Sequence, residues 1–202
     1  MSIKLGVLIS GSGTNLEAIC ERIEDKTLDA SIEIVVSSRS DAYGLKRAER
    51  RGIQTLTLSR QIYEDPLVAD EVIAAELHAH GVEYVVMAGY MRMVHAPILA
   101  RYPNRVINLH PALLPSFKGA HAIEDAYKRG VKVTGVTVHF ADEFYDCGPI
   151  IAQEALKIEE GWSLEELEEH IHEIEHSLYP DTLQKIAEGR VIVNPDRTVS
   201  VL

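Results

Sequence analysis

Short apolar runs recur along the chain, and between most of them apolar side chains return every three or four positions. The runs read as buried strands of a largely parallel sheet, and the periodic segments as helices covering both of its faces. The strands this pattern predicts are Lys4 to Ser10, Ile32 to Val36, Gln54 to Leu58, Tyr84 to Ala88, Val106 to Leu109, Val133 to Phe140 and Ile150 to Ala155. A helix between the third and fourth runs carries its own punctuation: Asp65 as N-cap, Pro66 at the first position, Val72, Ile73 and Leu77 inward, and Gly81 beyond the end. Asp41 is expected to start another, closed by Arg51-Gly52. After Phe140 the pattern loosens into a loop from Ala141 to Pro149, a strand, a long helix from Leu164 to about Ala187, and a closing hairpin around Asn194-Pro195-Asp196. No repeat or Pro/Ser-rich linker divides the chain. The expectation is one α/β unit over residues 1–202, a mostly parallel twisted sheet with helices on both faces.

Composition narrows the partners. Lys and Arg number 20 against 31 Asp and Glu, a formal charge of −11 with histidines neutral. An acidic chain repels a polyanion over a Debye length of about 8 Å, which argues against nucleic acid. Small anions stay open, because backbone N–H groups hold them without side-chain charge. Cys20 and Cys147 lie far apart without metal-ligand spacing, which fits a reducing cytoplasm and offers no disulfide framework, although a single bridge stays open. Leu5 to Ile9 is too short for a signal segment, and no stretch approaches the roughly 20 apolar residues that span a bilayer. No membrane partner and no metal are expected.

Strand one runs into Ser10-Gly11-Ser12-Gly13-Thr14-Asn15 and a helix beginning near Leu16. A glycine turn at a helix N-terminus suits a phosphate: free N–H groups and the positive helix end face the ligand, and Thr14 and Asn15 can add hydrogen bonds. The plain alternative is a tight turn capped by Asn15. A dinucleotide fingerprint needs a third glycine where Leu16 stands, and no acidic residue ends strand two. Arg39 keeps an NADP enzyme open, but a mononucleotide or sugar phosphate fits better.

In Val106-Ile107-Asn108-Leu109-His110-Pro111, strand alternation puts Asn108 and His110 on one side. An amide donor beside an imidazole can polarise a carbonyl and stabilise an oxyanion, and the loop Asp142 to Pro149 can bring a carboxylate to that histidine. A lone strand-end histidine satisfied by its surroundings is the plain alternative. His172-Glu173-Ile174-Glu175-His176 spells the zinc-protease pattern H-E-x-x-H. The core stripe of that helix is Leu164, Leu167, Ile171, Ile174 and Leu178. At 100° per residue His172 and His176 point about 130° and 170° from its centre, into solvent, with Glu175 about 70° away at the edge. A zinc site also needs a third ligand, so a metallopeptidase is rejected. His121 and His139 are expected near the cleft.

Four segments together carry a resemblance: Ile9 to Leu16, Met87-Ala88-Gly89-Tyr90-Met91-Arg92, Asn108-Leu109-His110-Pro111-Ala112-Leu113-Leu114-Pro115, and Asp146-Cys147-Gly148-Pro149. In order and spacing they resemble the phosphoribosylglycinamide formyltransferase family, from about Ile3 to about Gly189. The resemblance implies a Rossmann-like formyltransferase fold and transfer of a formyl group from 10-formyltetrahydrofolate, a co-substrate, to the amine of glycinamide ribonucleotide in purine synthesis. It implies that Asn108 and protonated His110 stabilise the oxyanion, and that Asp146 keeps His110 charged, since a nearby carboxylate raises a histidine pKa. Gly13, Thr14 and Asn15 would hold the phosphate, Glu175 the glycinamide end, and Met91, Arg92, Met93 and Val94, with Asn108, the folate. Residues up to about 100 would form the phosphate-binding half and the rest the folate-binding and catalytic half.

Departures from the family pattern are Ala112 for a serine, Pro66 for an arginine that Arg60 would replace, and Cys147 for a glycine. A nucleophilic Cys147 is disfavoured by its acidic neighbour. Sister activities with the same Asn-His-Asp set are formyltetrahydrofolate deformylase and formyl transfer to another amine. A chain opening at strand one leaves no room for the deformylase's N-terminal domain. It also stops short of the C-terminal domain of methionyl-tRNA formyltransferase. A pure nucleotide-binding module would have no use for Asn108, His110 and Asp146.

Overall fold

A computed structural model describes Ser2 to Leu202. Seven strands form one sheet: β1 (Ile3–Ile9), β2 (Ala30–Ser37), β3 (Gln54–Thr57), β4 (Tyr84–Met87), β5 (Val106–His110), β6 (Val133–Phe140) and β7 (Ile150–Lys157). Their spatial order is β3-β2-β1-β4-β5-β6-β7. All neighbours from β3 through β5 are parallel; β6 and β7 are antiparallel to theirs. A parallel return needs a long crossover, and the helix-free loop from Ala141 to Pro149 is too short to be one. The predicted strands are all present, with ends shifted by one or two residues.

Helices α1 (Thr14–Glu24) and α6 (Leu164–Ala187) cover one face, where Leu16, Ile19, Tyr179 and Leu183 pack on Leu5, Val7 and Ile107. Helices α3 (Pro66–Ala79) and α4 (Ala96–Arg101) cover the other, where Ile73, Leu77 and Ile98 meet Leu8, Val85 and Val106. The remaining helices are α2 (Tyr43–Arg50) and α5 (Ala122–Arg129), and strands β8 (Val191–Val193) and β9 (Val199–Val201) form the closing hairpin. No helix among the described residues is long and apolar enough to cross a membrane.

Asp65 caps α3 as its position requires, accepting from the N–H groups of Leu67 (3.0 Å) and Val68 (3.3 Å). Asp41 does not cap α2. The N-cap is Ala42 without a side-chain bond, and both Asp41 oxygens accept instead from the Arg39 guanidinium, at 3.0 and 2.8 Å.

The chain builds outward from β1 to β2 and β3, then crosses back to β4. The sheet therefore reverses its winding between β1 and β4, and a crevice opens beyond their C-terminal ends. Wholly buried Tyr179 ties α6 to β4 and β5, its hydroxyl lying 2.9 Å from the Ile107 carbonyl and 3.2 Å from that of Met87. Tyr179→Phe removes the one donor these carbonyls share, and denaturant unfolding is expected to show a loss of about 1–2 kcal/mol. An unchanged midpoint and slope would contradict that role.

Candidate active site

The crevice is a cleft of about 520 Å³ whose lining runs from the glycine turn through Gly89 to Met91, Asn108 to His110, Tyr145 and Asp146 to Glu175. At its β1 end Gly13 is the N-cap residue of α1, with φ 71° and no side-chain cap. The first helical amides, Thr14 to Leu16, consequently have no protein acceptor among the described residues. Arg47 of α2 braces the turn from outside, donating to the Ser12 carbonyl (2.9 Å) and to Glu17 (2.7 Å). Thr14 and His121 line the same cleft. The Asn15 side chain lines the cleft and is tied to α6: its Nδ2 donates to Glu175 Oε2 at 3.1 Å, and its buried Oδ1 has no partner.

Glu175 itself is 5% exposed, and the same Oε2 lies 2.9 Å from His172 Nδ1, which is pushed above the ordinary histidine value by that bond. His172 is solvent-exposed as its helical angle implies, but it also reaches the cleft through Glu175. Its side chain is half exposed but joined to the cleft, and His176 is partly enclosed, with burial lowering its pKa. Their own helix stripe could not reveal this, because α1 and the glycine turn pack against a second side of α6. No group of three or more metal-ligating side chains gathers among the described residues.

At the end of β5, Asn108 and His110 both face the cleft. His110 is 4% exposed; Nε2 donates to the Phe117 carbonyl (2.8 Å) and Nδ1 stands 3.5 Å from Asp146 Oδ2. Asp146 is held at φ 52° in the loop after β6 and accepts from the Gly119 N–H at 2.9 Å. The antiparallel register sets Asn108 opposite His139, with Asn108 Nδ2 3.1 Å from His139 Nε2; the latter is 3.7 Å from Asp146 Oδ1. In a neutral His139 the Nδ1–H donates to the Phe140 carbonyl (2.9 Å), so Nε2 accepts from Asn108, whose second N–H is left for a ligand.

Burial works to raise the Asp146 carboxyl, but the adjacent His139 and His110 imidazoles and the bond from the Gly119 N–H outweigh it and hold the group below its usual range. For His110 the balance falls the other way. Burial pushes its pKa below the ordinary histidine value, against the pull of Asp146 and of the Phe117 carbonyl. The carboxylate expected beside His110 is in place, but desolvation is the larger effect on its pKa.

A side compartment of about 40 Å³ opens off the cleft, bounded by Met93, Val94, Asn108, His139 and Asp146. The peptide groups of Arg92, Met93 and Val94 bond to no other protein group among the described residues, and those of Met93 and Val94 leave a bare donor and acceptor edge on this wall. Met91 is 72% exposed at the cleft mouth, so it is not core. The Arg92 side chain turns outward, its guanidinium 4.1 Å over the Tyr63 ring, and lines neither space.

The sequence profile of the formyl transferase family matches residues 3–183. The chain belongs to that family. Among its relatives is phosphoribosylglycinamide formyltransferase of Bacillus subtilis, 40% identical over 183 residues that cover 91% of this chain and 94% of that one. The human trifunctional purine biosynthetic protein adenosine-3 is 39% identical over 93% of this chain and 19% of its own length. The crystal structure of glycinamide ribonucleotide transformylase 1 from Symbiobacterium toebii superposes with a TM-score of 0.96 at 44% identity, covering 100% of this chain and 94% of that one.

For this formyl transferase the departures have plain structural outcomes. Ala112 is fully buried, and its carbonyl accepts from Thr137 Oγ1 (2.7 Å), so the turn holds without a hydroxyl. Pro66 opens α3 next to its cap, while Arg60 is exposed and lines neither the cleft nor its side compartment. Cys147 is exposed outside the cleft lining, 2.8 Å from Lys118 Nζ.

Proposed function

We propose that this formyl transferase passes the formyl group of 10-formyltetrahydrofolate to the amine of glycinamide ribonucleotide in purine biosynthesis. The observation that carries this reading is the meeting of Asn108, His110 and Asp146 between a glycine turn with bare helical amides and a compartment edged with free peptide groups. In this reading the half up to about residue 100 takes the ribonucleotide phosphate on Gly13, Thr14 and the neighbouring amides. Glu175, fixed by Asn15 and His172, faces the glycinamide end. The second half takes the folate, with Met91 at the mouth and the peptide groups of Arg92, Met93 and Val94 reading the pterin edge.

The amine attacks the formyl carbon, and the carbonyl electron pair moves onto oxygen. The free Asn108 N–H and the His110 Nε2–H, once released by Phe117, stabilise that oxyanion. The proton lost by the amine passes to His110 Nδ1, directly or through water, and Asp146 Oδ2 lies where the resulting imidazolium is stabilised. Collapse of the tetrahedral species breaks the bond to the folate nitrogen, which takes the proton. Holding His110 neutral before attack and charged during it is the task a burial-lowered imidazole beside a carboxylate suits.

Protonating His110 in advance blocks this route. With ribonucleotide saturating, kcat/KM for the formyl donor is expected to be full above the His110 pKa and to fall as pH drops through it, with the limb below the ordinary value near 6.5. Because Asp146 is the group pulling that pKa upward, the limb should move lower still in Asp146→Asn. A limb above 6.5, or one unmoved by the variant, would contradict the assignment.

Absorbance-monitored loss of the formyl group from 10-formyltetrahydrofolate tests the function. Turnover that needs glycinamide ribonucleotide supports the transferase; equal turnover without it assigns water as acceptor, and no turnover with this amine rejects the reading.

A further inference from the structure

The strip from Met91 to Val94 has no secondary structure, and three of its peptide groups are unpaired within the protein. Nothing in its own hydrogen bonding fixes its backbone, so apart from the packing of Val94 in the core its backbone is held by bonds at the two ends. At the first end the Met91 N–H donates to Ser10 Oγ at 2.8 Å. At the other, a single carboxylate oxygen, Asp70 Oδ2, takes both the His95 backbone N–H (2.5 Å) and its ring Nδ1–H (3.0 Å).

Asp70 stands on the buried side of α3 with Ile73, Ala74 and Leu77 and is 3% exposed. A carboxylate in such a place is costly unless its bonds are used. It takes no part in the transfer chemistry, and its bonds go to the residue that both ends the strip and caps α4. One oxygen fixing both the backbone and the ring of His95 also fixes the preceding residue, Val94, which is 2% exposed.

We propose that Asp70 is a positioning residue for the folate side of the cleft, holding His95 so that the bare peptide edge of Arg92 to Val94 meets the pterin in register. The proposal rests on the reading of that strip as the pterin wall.

Two variants and two readouts test it. His95→Ala keeps the backbone bond and removes the ring bond from a partly exposed side chain; Asp70→Asn is isosteric and weakens both. The KM for 10-formyltetrahydrofolate is expected to rise about three-fold in the first and about ten-fold in the second, as for one and two bonds. The KM for the ribonucleotide and kcat should stay within about two-fold. Hydrogen–deuterium exchange, which needs no turnover, should quicken in Asp70→Asn at the His95 amide, whose acceptor is Asp70, and stay unchanged at the glycine turn. Unchanged exchange at the His95 amide of Asp70→Asn, an unchanged folate KM, or equal rises in both KM values with faster exchange throughout would each overturn the proposal. If the unaltered protein does not turn over, the functional reading fails, and the exchange result still decides whether Asp70 holds the strip.

Discussion

Asp146→Asn is expected to lower kcat by roughly 10²–10⁴-fold, the range for losing a group that stabilises charge and proton transfer in the transition state. The substitution is nearly isosteric, and asparagine tolerates the left-handed backbone held at residue 146. Its carbonyl can still accept from the Gly119 N–H, so the loop keeps its shape. What disappears is the negative charge 3.5 Å from His110 Nδ1. Without it burial meets only the weaker pull of the Phe117 carbonyl and of Glu175, and the imidazolium that must form as the amine attacks loses its adjacent carboxylate. Single-turnover rates with both substrates saturating would measure the loss free of binding effects. Thermal unfolding should change little, and a kcat within about five-fold of the native value would remove Asp146 from the chemistry.

Gly13→Ala should produce the second large effect, on the other substrate. Gly13 has φ 71°, which costs an L-residue about 1–2 kcal/mol. A Cβ there would also lie 2.6 Å from Gly44 Cα, a backbone atom at the start of α2 that cannot rotate aside. The turn and α2 must separate, and the amides of Thr14 to Leu16 move with the turn. Displacing a phosphate site by about 1 Å is worth about 10²-fold, so kcat/KM for the ribonucleotide should fall by that order while folate binding is spared. Ribonucleotide-induced thermal stabilisation would report the same loss without catalysis. An unaltered ribonucleotide KM would sink the assignment of the turn.

The inner strands β1 and β4 were legible because they are buried along most of their length and therefore read as continuous apolar runs, whereas β3 and β7 at the sheet edges are largely half-buried or exposed. The Asp65-Pro66 start of α3 was legible because capping is settled within a few residues. Asp41 misled for a related reason: its carboxylate had two local outlets, the α2 amides and Arg39, and the guanidinium took both oxygens. The helical angles that sent His172 and His176 outward describe one helix with one buried stripe. Helix α6 has a second contact side, where Asn15, 160 positions earlier, reaches Glu175.

By itself the sequence determined the order and type of the elements, the glycine turn at a helix start, and the Asn108–His110 pair on one side of a strand. These depend on backbone conformations and side-chain periodicities set over a few neighbouring residues. Tertiary structure alone decided that His110 rests below its ordinary pKa, that Glu175 is tied to both Asn15 and His172, and that a buried Asp70 anchors His95. Desolvation and long-range pairing depend on which distant segments exclude water from a group. A residue's neighbours in sequence do not carry that information.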